Sequence, residues 1–264
     1  MKLSHVLFWF VYLALALISL SSCHKEKGNS RLTVYLTDAP AAYDAVNIDI
    51  VRLEIKATDD FGEGSWQVLP FANPGVYNLL DFTNGMDTLL SSLELPAGRV
   101  SQLRMILGTN NSIVVDGTTM DLPLTTPSAQ QTGLKFNIHA DLRPGIEYKL
   151  WIDFDCARSV VLSGNGEYKL KPVIRTFTEA TSGAISGVVL PAAAEAMVFA
   201  TTDTDTLGAI PDPLTGAFLI RGVPPGINWK VTADGNNNYQ DQSFENINVV
   251  LGETTVMDTI TLVQ

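Results

Sequence analysis

The chain has 264 residues, 46% of them hydrophobic and 17% charged, with a formal net charge of -11. That length gives room for one large or two ordinary domains with proper cores. Residues 31–179 carry 12 basic and 18 acidic side chains (net -6) and residues 180–264 carry 2 and 9 (net -7), so both halves repel phosphate backbones and nucleic acid is set aside as a partner.

Lys2 precedes a mostly apolar stretch from Val6 to Leu20, and Leu20-Ser21-Ser22-Cys23 places small residues before a cysteine. This reads as a lipoprotein signal. Residues 1–22 would be removed, Cys23 would carry the lipid, and the membrane would be a partner through that anchor. The stretch is shorter than the roughly 20 apolar residues that cross a bilayer. Residues 23–30 are then a lipidated cysteine with a short polar tether. Cys156, the other cysteine, has no disulfide partner and reads as a small core residue. As a nucleophile it would need a histidine base, and only His24 and His139 follow the signal. The same scarcity argues against a zinc site.

From the tether onward the hydrophobic period is two. Leu32, Val34 and Leu36 alternate with Thr33, Tyr35 and Thr37 up to Pro40. Ile48 and Ile50 then fall on one face and Leu53 and Ile55 on the other, which predicts a β-bulge near Ile50 and Val51. Met86, Leu89, Leu90 and Leu93 have helical spacing between Gly85 and Pro96 and predict a short amphipathic helix. Strands resume at Leu103–Leu107, at Ile113–Val115 with a tight turn on Asp116 and Gly117, and at Leu134–Ile138. Along Ile146–Cys156 the apolar residues share one face, while Glu147, Lys149, Trp151, Asp153 and Asp155 share the other. Tyr168–Phe177 follows a Ser-Gly-Asn-Gly turn.

Composition shifts near residues 179–183, beyond which strands are predicted at 184–190, 197–201, 217–221, 229–233, 247–251 and 255–262, with a turn on Pro224-Pro225-Gly226. The fold class is all-β: two antiparallel β-sandwich domains, 31–179 and 180–264, the first with one short helix, after a cleaved signal.

Several runs in the first domain resemble one family: Leu36-Thr37-Asp38-Ala39-Pro40, Leu79-Leu80-Asp81-Phe82, Leu95-Pro96-Ala97-Gly98, Pro127 to Lys135, Ile152-Asp153-Phe154-Asp155, and Lys171-Pro172-Val173-Ile174-Arg175. Together they resemble the domain of unknown function family 4382, common in lipoproteins of Bacteroides-type bacteria. The resemblance implies an exported β-sandwich-like domain and carries over no catalytic residue. Ile185-Ser186-Gly187-Val188-Val189, Gly216 to Ile220 and Gly222-Val223-Pro224-Pro225-Gly226 are similar to carboxypeptidase-regulatory or transthyretin-like modules, with Trp229 where an aromatic core contact is expected. These modules are grouped with carbohydrate-binding-like folds, which is fold analogy only.

Asp153 and Asp155 project from one strand face about 6–7 Å apart. With Asp38 and Asp81 from neighbouring loops they could hold calcium, the one cofactor this reading allows. They could instead be the acid and base of a glycosidase, or cap turns and pair with Lys149 and Arg158. Trp151 on the same face could stack on a sugar, or be covered by the second domain. Trp66, Tyr35 and Tyr239 are weaker aromatic candidates, and Ser128, Gln130, Gln131 and Lys135 form a polar cluster before a strand. Thr88, Thr206 and Thr259 sit in Asp-Thr-Leu or Asp-Thr-Ile runs that resemble the O-glycosylation signal of Bacteroides-type bacteria.

The resulting expectation is a non-enzymatic, lipid-anchored outer-membrane protein, its periplasmic or surface face left open, that binds a glycan or an envelope protein. The alternatives are a structural part of an envelope complex and a carbohydrate-active hydrolase using Asp153 and Asp155.

Overall fold

The computed structural model describes residues 28–58, 65–71, 73–126, 131–164 and 166–264. Cys23, the signal, Ser128 and Gln130 lie outside these residues. The fold is all-β, built around two separate hydrophobic cores, one formed by residues between Leu32 and Leu170 and the other by residues between Ile185 and Leu262. Among the described residues no helix is long and apolar enough to cross a membrane.

The N-terminal unit begins with β1 (Asn29–Ala39), β2 (Ala45–Thr58), β3 (Trp66–Val68), β4 (Gly75–Asn78), β5 (Thr88–Pro96) and β6 (Gly98–Leu107). It continues with β7 (Ser112–Val115), β8 (Thr118–Asp121), β9 (Leu134–Leu142), β10 (Glu147–Asp155), β11 (Val160–Leu162), β12 (Tyr168–Leu170) and β13 (Ile174–Phe177). One sheet has the order β13-β10-β1-β5, and a second runs β8-β7-β2-β6-β9 with β3 and β4 also paired to β2. Most neighbours are antiparallel, but β1 and β10 run parallel over nine residue pairs. The inward residues Leu32, Val34, Leu36, Ile152 and Phe154 of the first sheet meet Ile48, Leu53, Ile55, Leu103 and Met105 of the second. Each is at most 1% exposed, so period-two alternation does what it does in any sandwich, removing one face of each sheet from water.

The bulge on β2 is present, with the register against β6 shifting between Ile50 and Arg52, and Ile48, Ile50, Leu53 and Ile55 are all fully buried. The hairpin turn on Asp116 and Gly117 has positive φ at both residues, 48° and 71°. The predicted helix over Met86–Leu93 does not form. That segment enters β5, antiparallel to β1, and the register shifts between Val34 and Tyr35 so that Leu90 is the extra residue. A bulge turns Leu90 to the buried side along with Leu95, and the three-residue spacing that imitates a helix is the trace of that insertion. Helical turns occur instead at Leu79–Phe82, a 3-10 turn, and at Cys156–Ser159, one α-turn capped by the Asp155 carboxylate.

The C-terminal unit holds β14 (Gly183–Leu190), β15 (Met197–Thr201), β16 (Thr206–Ala209), β17 (Ala217–Val223), β18 (Gly226–Asp234), β19 (Gln242–Val249), β20 (Thr254–Val256) and β21 (Ile260–Thr261). The sheet β17-β14-β20, with β21 also on β14, packs on the sheet β16-β15-β18-β19. Trp229 is 2% exposed in that core and donates its indole N–H to the Pro224 carbonyl at 2.9 Å. The last predicted strand is split into β20 and β21, and β16 is an addition to the expected set.

Candidate functional site

The polar face of β10 is where the sequence places most of its candidate residues, and the register explains what they meet there. Tyr35 on β1, Trp151 on β10 and Phe177 on β13 stand side by side across three strands. Their rings stack at centroid distances of 5.3 and 5.6 Å and interplanar angles of 17° and 5°. Trp151 is only 5% exposed, and its indole N–H donates to Asp87 Oδ2 at 2.8 Å. It is therefore a buried anchor, and the expectation of a ring open to a sugar is corrected: a ring flanked on both faces has none left for a ligand.

The covering layer comes from β17. The φ of Gly222 is +67° and its backbone lies flat on Phe177, where a Cβ would fall 2.5 Å from the ring. Arg175, opposite Asp153 in the ladder, binds that carboxylate at 2.5 Å and donates to the Gly222 carbonyl at 2.8 Å and the Arg221 carbonyl at 3.2 Å. Arg221 returns to the N-terminal unit through Asp87 Oδ2, at 2.8 Å. Asn84 closes the seam like a short length of ladder, donating to the Ala217 carbonyl at 3.1 Å and accepting the Leu219 N–H at 2.8 Å. Sequence reasoning missed Asn84, Asp87, Arg221 and Gly222 because each acts across the two units. Arg175, by contrast, lay at the end of one of the family-like runs, a base two residues before Phe177.

Beside this seam is a cavity of about 260 Å³ with walls from both units. Asp38, Asp153, Asp155, Arg158 and Arg175 line it from the N-terminal unit and 204–208 from the C-terminal unit. Asp38 Oδ1 accepts the Cys156 N–H at 3.1 Å, while Asp38 Oδ2 and Asp153 Oδ1 are buried without a partner among the described residues. Asp155 caps the helical turn by accepting the Arg158 N–H at 3.0 Å, and the Arg158 guanidinium lies 3.8 Å from its other oxygen. Asp81 is not on the cavity wall: it sits exposed on the 3-10 turn and accepts from the Asn78 side chain at 2.8 Å. Asp81 is thus apart from the other three candidate calcium ligands, which share the cavity wall, and one of those three, Asp153, is engaged by Arg175.

Burial raises the Asp38 pKa well above its ordinary value near 3.8, helped by the Asp153 and Asp155 carboxylates, and burial also raises that of Asp155. Burial likewise pushes the Cys156 thiol far up, with Asp38 adding to it, so this cysteine stays protonated and inert. A carboxyl with a raised folded pKa contributes stability that is complete below its unfolded value and is lost as pH rises through the folded one. Asp38→Asn keeps an oxygen for the Cys156 N–H and removes the buried charge. At neutral pH it should raise Tm by about 2–4 °C, corresponding to about 1 kcal/mol. That gain should shrink as the pH falls toward 4. Scanning calorimetry of variant and wild type across this range checks it, because carboxylates remote from Asp38 cancel in the difference. A lower Tm for the variant at neutral pH would refute it.

Of the remaining candidates, Thr206 and Thr259 are exposed at strand ends, whereas Thr88 is half-buried in β5 opposite Leu36. Gln131 and Lys135 are exposed, Tyr35 belongs to the aromatic stack, and Tyr239 packs on the second core. Trp66, on β3, has the Arg104 guanidinium 4.2 Å from its ring centroid.

The architecture is that of an all-β protein with two sandwich units braced across a polar and aromatic seam. By sequence the chain belongs to the family described as domain of unknown function (DUF4382), whose model matches residues 29–172. No curated protein matches the chain. Among solved structures it is similar, at 10% identity and a TM-score of 0.23, to the Bacillus anthracis TIE protein, with 89% of this chain aligned to 34% of that one. The chain therefore spans about a third of the length of that protein. It is also similar, at 10% identity and a TM-score of 0.21, to the shaft pilin spaA from Lactobacillus rhamnosus GG, over 90% of this chain and 99% of that one. At these scores neither likeness carries an argument about function.

Proposed function

We propose that the protein is a lipid-anchored component of the cell envelope of a Bacteroides-type bacterium, held at the outer membrane through Cys23, and that it recognises a glycan rather than catalysing a reaction. The observation that carries the non-enzymatic part is the employment of the acid pair: Asp153 is bound to Arg175 and Asp155 caps a helical turn, so neither is free to act as the acid or base of a hydrolase. The lipid reading is supported by the run that ends at Cys23. In this reading the C-terminal unit is a carboxypeptidase-regulatory or transthyretin-like module, and the brace between units turns it into a rigid extension of the first. Thr206 and Thr259, exposed in their Asp-Thr runs, are the positions where O-linked glycan would be attached.

Two measurements on one preparation test this. Metabolic labelling with palmitate should mark the wild type and not Cys23→Ala, and the variant should leave the membrane fraction. The full chain in detergent, applied to a glycan array with calcium and again with EDTA, should show saturable binding. Equal labelling of the variant refutes the anchor, and an array silent in both conditions refutes glycan recognition in favour of a protein partner.

A further inference from the structure

The sheet that carries β2 turns one face to the core and the other to solvent, and among the described residues the solvent face gathers basic side chains from three strands. In register, Trp66, Lys56, Gln102 and Asn137 form one row across β3, β2, β6 and β9, and Val68, Glu54, Arg104 and Lys135 form the next. Arg52 continues the same face of β2. Among the described residues of this face, four bases, Arg52, Lys56, Arg104 and Lys135, therefore surround one acid, Glu54, on a chain whose net charge is -11. The patch spans about 15 Å across four strands.

Its groups are held in place. Glu54 is 4% exposed and accepts from Arg52 at 2.7 Å and from two nitrogens of Arg104. Burial alone would raise its pKa, but the bonds from Arg104 and Arg52 lower it, so the carboxylate stays charged and fixes both arginines. The Arg104 guanidinium lies against the partly exposed Trp66 ring, and Lys135 Nζ is 5.9 Å from the same ring centroid. Gln102 donates to Asn137 at 2.9 Å beside them. One acid engages two of the four bases, and Lys56 and Lys135 add positive charge beyond what Glu54 balances. A flat, preorganised positive surface with an aromatic ring at its edge is complementary to an anionic ligand with apolar ring faces.

We propose that this outer face binds an acidic glycan, one bearing uronate carboxylates or sulfate esters. The inference rests on the reading of the protein as a glycan binder and names both the ligand class and the surface. A nucleic acid fits less well because a long polyanion would extend over the acidic remainder of the molecule.

The full chain in detergent is titrated with chondroitin sulfate oligosaccharide, which carries both uronate and sulfate, and with neutral dextran, at low and high salt. Saturable binding of the first and not the second is expected, weakening at high salt. Replacing Lys56 and Lys135 together by Glu should weaken it by about tenfold or more, while replacing both by Arg should preserve it. An unchanged melting temperature in each variant shows that the fold is retained. Binding that is indifferent to charge reversal, or equal for dextran, overturns the acidic-glycan site and leaves glycan recognition standing elsewhere on the molecule. No binding to any glycan overturns both. Equal affinity for a single-stranded DNA oligonucleotide or for anionic vesicles overturns the glycan assignment of this face.

Discussion

Arg175→Ala should destabilise the protein by about 3 kcal/mol, far more than an ordinary surface arginine. The arginine has three partners, the Asp153 carboxylate and the carbonyls of Arg221 and Gly222, and it lies over the Phe177 ring with its guanidinium 5.2 Å from the centroid. The damage comes mainly from what is left behind. Asp153 is 4% exposed and its Oδ1 already has no partner among the described residues, so truncation of Arg175 strands a buried carboxylate. Asp153→Asn in the same chain should recover part of the loss by removing that charge, a sign a purely additive pair would not give. Equilibrium urea unfolding of the two single variants and the double variant reads the effect. A loss below about 1 kcal/mol for Arg175→Ala would mean that the seam contributes little to the fold.

Gly222→Ala should cost about 2–4 kcal/mol by a different route. Its φ of +67° is left-handed, which alone costs a side-chain-bearing residue about 1–2 kcal/mol. The new Cβ would also sit 2.5 Å from Phe177, and that ring cannot retreat because Trp151 stacks behind it. Crowding of this kind costs about 1–3 kcal/mol. Gly117→Ala is the control, since Gly117 has a similar φ of +71° and open space where its Cβ would be. It should show the backbone cost without the clash. Because the Gly222 carbonyl is an acceptor for Arg175, combining Gly222→Ala with Arg175→Ala should cost less than the two separately. Equal losses for Gly222→Ala and Gly117→Ala in urea would remove the packing part of the argument.

The contrast between two bulges shows what could be read from the chain. At Ile50 the alternation changes parity inside an otherwise unbroken β pattern, which only an inserted residue explains, and the bulge is legible. At Leu90 the inserted residue produces a three-residue spacing that a helix explains equally well, and nothing local decides between them. Pairing with β1 decides it, because a strand there completes a sheet edge and buries Leu90 and Leu95 against the core. Short β16 escaped notice for a related reason, as Leu207 and Ala209 are too few to establish a period.

The candidate site divides along the same line. By itself the sequence determined the all-β class, most of the strands, and the face of β10 on which Trp151, Asp153 and Asp155 lie, because side-chain parity is a local property of extended backbone. Only the tertiary structure decided that this face is roofed by β17, that Arg175 spends itself on Asp153 and two carbonyls of the other unit, and that four bases from three strands gather around Glu54. Those outcomes depend on which strands become neighbours and in what register, and pairing between strands tens of residues apart leaves no periodic mark in the chain.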